Sequence, residues 1–232
     1  MTSERASSRR DRPGTVKPPS DFRRAPRRRG EALEAAIREA ALAELAERTF
    51  DGFSVERVAK RARTGKAAIY RRWATKLELI VDALANGFSD PAPQTSTGDL
   101  RRDLLIFHRR LAGALAGPVG GALRANVGKH QEHPQLAEAL RARVIAPQER
   151  AVLELLAQGS KRGEIPAARS SPELARIGPA LVRQQFIESG RPPSAREIES
   201  MVDTVLIPLF RGAGSSEPIA ASARPRSRPA RA

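Results

Sequence analysis

The chain lacks cysteine entirely over its 232 residues. That excludes a disulfide framework, thiolate zinc sites and a cysteine nucleophile, and it fits a reducing compartment. Aromatic residues are scarce, at 4% with one Trp and one Tyr, so a core has to be assembled from Leu, Ile, Val and Ala. No apolar run approaches the roughly 18 residues that cross a bilayer, and the Arg-rich N-terminal stretch has no apolar segment of the secretory kind. A soluble cytoplasmic protein without a membrane partner is expected. There is no glycine-rich phosphate loop, no metal-ligand cluster and no nucleophile–base–acid spacing. The expectation is therefore a protein that is not an enzyme and carries neither cofactor nor metal. Alternating β-branched stretches are missing as well, which points to an all-α fold.

What is present in excess is positive charge, +15 in formal terms. Its distribution matters more than its size. Residues 1–30 hold ten Lys/Arg against three acids, and 211–232 hold five Arg against one, so most of the surplus sits at the two ends. Both ends interleave Arg with Pro, Gly and Ser and offer almost nothing to bury. Residues 1–29 and 211–232 read as disordered basic segments, either solvated ends or a sequence-independent attraction for polyphosphate.

Between them the chain reads as helix. Leu33, Ile37, Ala40, Ala41 and Leu45 mark the buried stripe of a helix over Glu31–Arg48. Asp51-Gly52 breaks it, and Ser54 caps a short second helix ending near Ala62. Arg63-Thr64-Gly65 makes a tight turn, a third helix runs from Lys66 to about Trp73, and Thr75-Lys76-Leu77-Glu78 is a capping box opening a fourth that reaches Phe88. Two short helices joined by such a turn form a helix-turn-helix, whose second helix lies in the DNA major groove. Arg57, Lys60, Arg61, Arg63, Lys66, Arg71, Arg72 and Lys76 fall in one span without an acid, a pattern that suits a phosphate-facing surface.

Residues 90–98, with Pro91, Pro93 and Gly98, read as a linker between a unit at 30–90 and a second at 99–210. The second unit reads as helices over Asp99–Ala116, Val119 to about Gln131, and Pro134–Arg162 with a kink or restart at Pro147. A further helix runs over Pro172–Glu188, bent at Gly178-Pro179, and a last one, opened by the Ser194–Glu197 capping box, runs to Phe210. The three histidines, His108, His130 and His133, are expected at the surface or as caps, since no third ligand is evident near the last two.

The segment Phe50–Leu84 resembles the DNA-binding domain of TetR/AcrR-type regulators. The resemblance rests on Phe50 with Ser54-Val55, on Val58-Ala59-Lys60-Arg61-Ala62, on Ile69-Tyr70-Arg71-Arg72-Trp73, and on Thr75-Lys76-Leu77-Glu78-Leu79. It departs from the family at Arg63, where glycine is usual, and at Gly65, where a serine often caps, which leaves Thr64 as the alternative cap. The resemblance implies that Gly65, Lys66, Ala67 and Ala68 meet base edges, and that Ser54, Tyr70 and Lys76 grip phosphates, the last together with the positive end of the fourth helix. Arg71 and Arg72 fit either role, and Tyr70 alternatively serves only structure. Arg27-Arg28-Arg29 either reaches a minor groove or stays unstructured.

Asp99-Leu100-Arg101-Arg102-Asp103-Leu104 and Ile145-Ala146-Pro147 resemble the family's ligand-binding and dimerisation domain. By that resemblance the last two helices pair with their copies in a homodimer, with Phe186, Ile187, Met201, Val205 and Leu206 as surface candidates. Phe107, Leu111, Leu123, Val127 and Phe186 are candidates for lining a small-molecule effector pocket, with core packing as the alternative for all of them. The function implied is a nucleoid-associated transcriptional regulator, a repressor that an effector releases from a palindromic DNA operator. The rival is a basic protein that binds nucleic acid without sequence preference.

Overall fold

The computed structural model describes residues 30–88, 96–126, 128 and 132–212. Residues 1–29, most of the expected linker and nearly all of the 211–232 segment lie outside them, as do Val127 and His130. Every regular element among the described residues is helical.

The first four helices are α1 (Glu31–Arg48), α2 (Val55–Arg61), α3 (Lys66–Tyr70) and α4 (Lys76–Phe88). α1 buries Ile37, Ala40, Ala41 and Leu45 along the expected stripe, against Val58 of α2, Ile69 of α3 and Leu79, Ile80 and Leu84 of α4. α1 closes at Thr49 with φ +57° and ψ −178°, a backbone region essentially reserved for glycine. Thr75 accepts the Glu78 amide at 3.1 Å, and Glu78 reaches back to the amide of Ala74 at 2.7 Å, one residue earlier than a capping box would have it.

The remaining helices are α5 (Leu100–Ala116), α6 (Pro118–Ala125), α7 (Pro134–Leu140), α8 (Ala146–Lys161), α9 (Pro172–Ala175), α10 (Ile177–Ser189), α11 (Ala195–Met201) and α12 (Ile207–Arg211). The Asp99–Leu104 motif organises the start of α5. Asp99 caps the helix by accepting the Arg102 amide at 2.6 Å. Arg101 is bidentate to Asp203 at 2.6 and 2.8 Å, and buried Asp103 holds Ser96 and the Thr97 amide.

Prolines set the breaks. Pro147 has no N–H, and its ring conflicts with the carbonyl four residues earlier, so α7 widens into a π turn at Arg141–Ile145 before α8 restarts. Pro208 does the same to the last helix, which is not the continuous one expected but passes through a π turn at Val202–Leu206. The bend expected at Gly178-Pro179 comes earlier, at Arg176, which leaves Pro179 in the first turn of α10, where an amide has no helical partner anyway.

Two cores result. One joins α1–α4 to Val119 and Ala122 of α6, Leu136 of α7 and Val144. The other fills the space among α5 and α8–α12. His108 is wholly buried in the second, contrary to the surface or capping role expected, with Nδ1 2.7 Å from the Leu104 carbonyl oxygen. Gly178 permits this, since a Cβ there would stand 2.2 Å from His108 Nε2. Burial pushes the imidazole down to about 4.

Candidate nucleic-acid interface

The interface is built on a buried carboxylate that the sequence pattern does not single out. Glu44 of α1, 1% exposed, accepts from Arg57 Nε at 2.6 Å and from the Ser54 amide at 3.3 Å. It fixes where α2 begins. The Ser54 hydroxyl then caps α2 by accepting the Arg57 amide at 3.4 Å and donates to Glu56 at 2.9 Å.

α2 ends in a Schellman turn. The Thr64 amide reaches the Ala59 carbonyl at 2.9 Å and the Arg63 amide reaches that of Lys60 at 3.2 Å. Arg63 takes the left-handed position, φ +54°, so the turn keeps the shape glycine would give and bears the strain of a side chain there. Next comes α3, with Gly65 at its cap and no side-chain capping bond. Only Ile69 of α3 is buried. Lys66 and Ala67 are exposed, Ala68 and Thr64 are partly so, and Tyr70 is 50% exposed. Gly65, Lys66, Ala67, Tyr70 and Arg71 thus lie on one accessible ridge.

The basic run is less free than its spacing suggests. Arg57 pairs with Glu44, Arg61 with Glu47, Lys66 with Glu56 at 2.6 Å and Arg72 with Glu34 at 3.1 Å. Arg72 also donates to its own helix at Ala68, folding back toward α1. Among the described residues Lys60, Arg63 and Arg71 have no acidic partner. The Lys66 ammonium holds the Glu56 carboxyl down to about 2. Lys76, at the start of α4, donates to the Phe50 carbonyl at 3.2 Å and lies 4.5 Å over the Phe50 ring.

Three contacts tie α1–α4 to the helices behind them. Asn126, buried at the end of α6, accepts from the Phe50 amide at 2.7 Å and donates to the carbonyls of Leu45 at 3.2 Å and Ala122 at 2.8 Å. Asp82 of α4 gathers Arg38, Trp73 Nε1 and Arg143. His133 Nε2 lies 2.6 Å from Asp51, and its ring packs on Phe50 with centroids 4.5 Å apart. Phe50 is therefore touched by Asn126, His133 and Lys76 at once.

Of the residues expected to line an effector pocket, Leu111 and Phe186 are buried core and Phe107 packs edge-on against His108. Leu123 does line an apolar cleft, but one at the junction, with Leu45, Ile80, Leu84, Ala122, Asn126, Leu136 and Leu140. Among the candidates for a pairing surface, Phe186 and Leu206 are turned inward, because their own chain's core takes them. Ile187 and Val205 are exposed, Met201 is partly so, and Leu181, which its place in the sequence did not mark out, joins them at 38% exposure.

An exposed reading helix on a buried three-helix support defines a helix-turn-helix DNA-binding module. Known proteins carry this further. The family model described as bacterial regulatory proteins, tetR family, matches residues 37–83, and that of the tetracyclin repressor-like C-terminal domain matches 94–205. A helix-turn-helix-type transcriptional regulator of Mycobacterium tuberculosis is 33% identical over 174 residues, 73% of this chain and 84% of the relative. A DNA-binding transcriptional repressor of Mycobacteroides abscessus, named TetR, is 32% identical over 190 residues, 79% and 96% of the two chains. A TetR transcriptional regulator from Agrobacterium tumefaciens shares the fold, with a TM-score of 0.59 over 78% of this chain and all of that one at 19% identity. The chain belongs to the TetR family and is a DNA-binding transcriptional regulator. Among the described residues no helix is long and apolar enough to cross a membrane.

Proposed function

We propose that the chain acts as a homodimeric repressor, holding a palindromic operator through two copies of α3 and leaving it when a small molecule binds. The observation that carries this is the α3 ridge itself, five residues of recognition helix with one buried side chain and the rest presented. Lys66 and the methyl groups of Ala67 and Ala68 have the chemistry for guanine and thymine edges. Tyr70, Ser54, Thr64, Arg71 and Lys76 supply donors for phosphate oxygens, and Arg72 adds charge once released from Glu34. Pairing is assigned to α10–α12 through Leu181, Ile187, Met201 and Val205, whose exposure in a single chain favours a second copy there.

Release is assigned to the joint between the two halves. α6 shares a core with α1 and is pinned to it by Asn126. An effector that prefers a shifted α6 would therefore carry both reading helices off their half-sites. Binding-site selection from random duplex DNA tests the proposal. A two-fold symmetric motif with half-sites about one helical turn apart is expected. Recovery of no motif, or of a single unpaired half-site, contradicts it.

A further inference from the structure

We propose that Asp51, Glu132 and His133 form a site for one divalent transition-metal ion of the zinc type, clamping the DNA-reading half to the helices behind it. The three residues come from two distant segments. Asp51 lies in the turn between α1 and α2, while Glu132 and His133 immediately precede α7, some eighty positions further on. The fold nevertheless brings one ligand atom of each to within 4.8 Å of the other two. This is the carboxylate partnership that the sequence does not reveal around His133.

The donor set selects the class of ion. One imidazole nitrogen with two carboxylate oxygens suits zinc and its neighbours, while magnesium and calcium favour all-oxygen sites. Zinc–ligand distances near 2.1 Å place ligand atoms roughly 3.4 Å apart in a tetrahedron. The His133–Asp51 pair is hydrogen-bonded at 2.6 Å, so an ion would displace the shared proton and part the two atoms by roughly 0.8 Å, with the Glu132 carboxylate inside the same 4.8 Å group. Asp51 and Glu132 are exposed and His133 partly so, which leaves the fourth position to water. The Phe50 ring packed on His133 restrains the imidazole plane, as outer contacts do around metal ligands. An ion here would add a direct bond between the halves beside the Asn126 pin, two residues from the strained Thr49.

The test is calorimetric titration of the untagged, full-length protein with zinc chloride after chelator treatment, with magnesium chloride as the contrast. The background is low, because the chain has three histidines and no cysteine, and His108 is buried. One zinc per chain is expected, with a raised thermal midpoint and no comparable magnesium binding. His133→Ala should abolish binding, and Asp51→Asn and Glu132→Gln, both at exposed positions, should each weaken it by about tenfold or more. The latter two keep the test open if His133→Ala fails to fold. His130→Ala should bind as the wild type does. Non-saturating uptake by the wild type, wild-type affinity in the Asp51 and Glu132 variants, or binding that disappears with His130 alone would each overturn the assignment.

Discussion

Replacing Asn126 by alanine probes the joint to which the proposed release is assigned. The substitution removes the acceptor of the buried Phe50 amide and the donor shared by Leu45 and Ala122. A carbonyl has the smaller need of the two groups because it often goes partly satisfied, and that of Leu45 has recourse, since the Thr49 amide already reaches it at 3.1 Å. The Phe50 N–H has none, and an orphaned buried amide costs about 1–3 kcal/mol. With a small cavity added, the loss should reach about 2–3 kcal/mol. Thr49 supplies a second, coupled reporter. Its positive φ lies in a region costing on the order of 1–3 kcal/mol, and the neighbouring Phe50–Asn126 bond holds it there. Thr49→Gly should stabilise the wild type by about 1 kcal/mol, and by clearly less in the Asn126→Ala background, where the peptide is free to relax. Urea unfolding of the four proteins at one fixed concentration measures the cycle. An Asn126→Ala loss below about 1 kcal/mol, or additivity within about 0.3 kcal/mol, would show that no such coupling exists.

The same geometry sets further expectations. Arg63→Gly relieves the left-handed residue of the turn and should raise stability by about 1 kcal/mol in the same unfolding assay. Glu56→Gln frees Lys66 and removes a carboxylate from the DNA-facing side, so operator affinity measured by fluorescence anisotropy should rise a few-fold; Lys66→Ala should lose discrimination between sites, while Lys76→Ala weakens all duplexes alike. His108 is neutral in its buried place, with a folded value of about 4 against 6.5 for the free side chain. Its contribution is therefore complete above pH 6.5 and is lost as pH falls toward 4, by at most about 3 kcal/mol. Chemical unfolding at several pH values should show that slope in the wild type and a flatter one in His108→Leu.

The helices of the reading head were legible because their signals are local. Ser54 caps the residues just after it, Thr75 and Glu78 open α4, and the stripe from Ile37 to Leu45 needs only a count of threes and fours. The turn was legible in place but not in conformation, because Arg63 is held by the backbone hydrogen bonds of the turn in what glycine would adopt freely. What escaped was set by distance along the chain. Glu44, Glu47 and Glu34 lie 13 to 38 positions from Arg57, Arg61 and Arg72, which they hold, so a run of bases that is continuous in sequence is partly neutralised in space. Asn126 reads as an ordinary polar residue near a helix end until α1 is laid against it. His108 stands on the apolar stripe of α5 with Leu104, Leu111 and Leu115, but its accommodation depends on a glycine seventy positions later. Pro208 was visible, and its missing amide already forbade the unbroken last helix that the capping box and apolar spacing suggested.

Everything in this picture turns on α3 reading bases rather than merely attracting phosphates. Competition between the best selected duplex and its scrambled counterpart, at one fixed physiological salt concentration, distinguishes the two. A preference of about a thousandfold or more is expected. A ratio near one, with affinity that simply falls as salt is added, would mean that the positive charge alone does the binding.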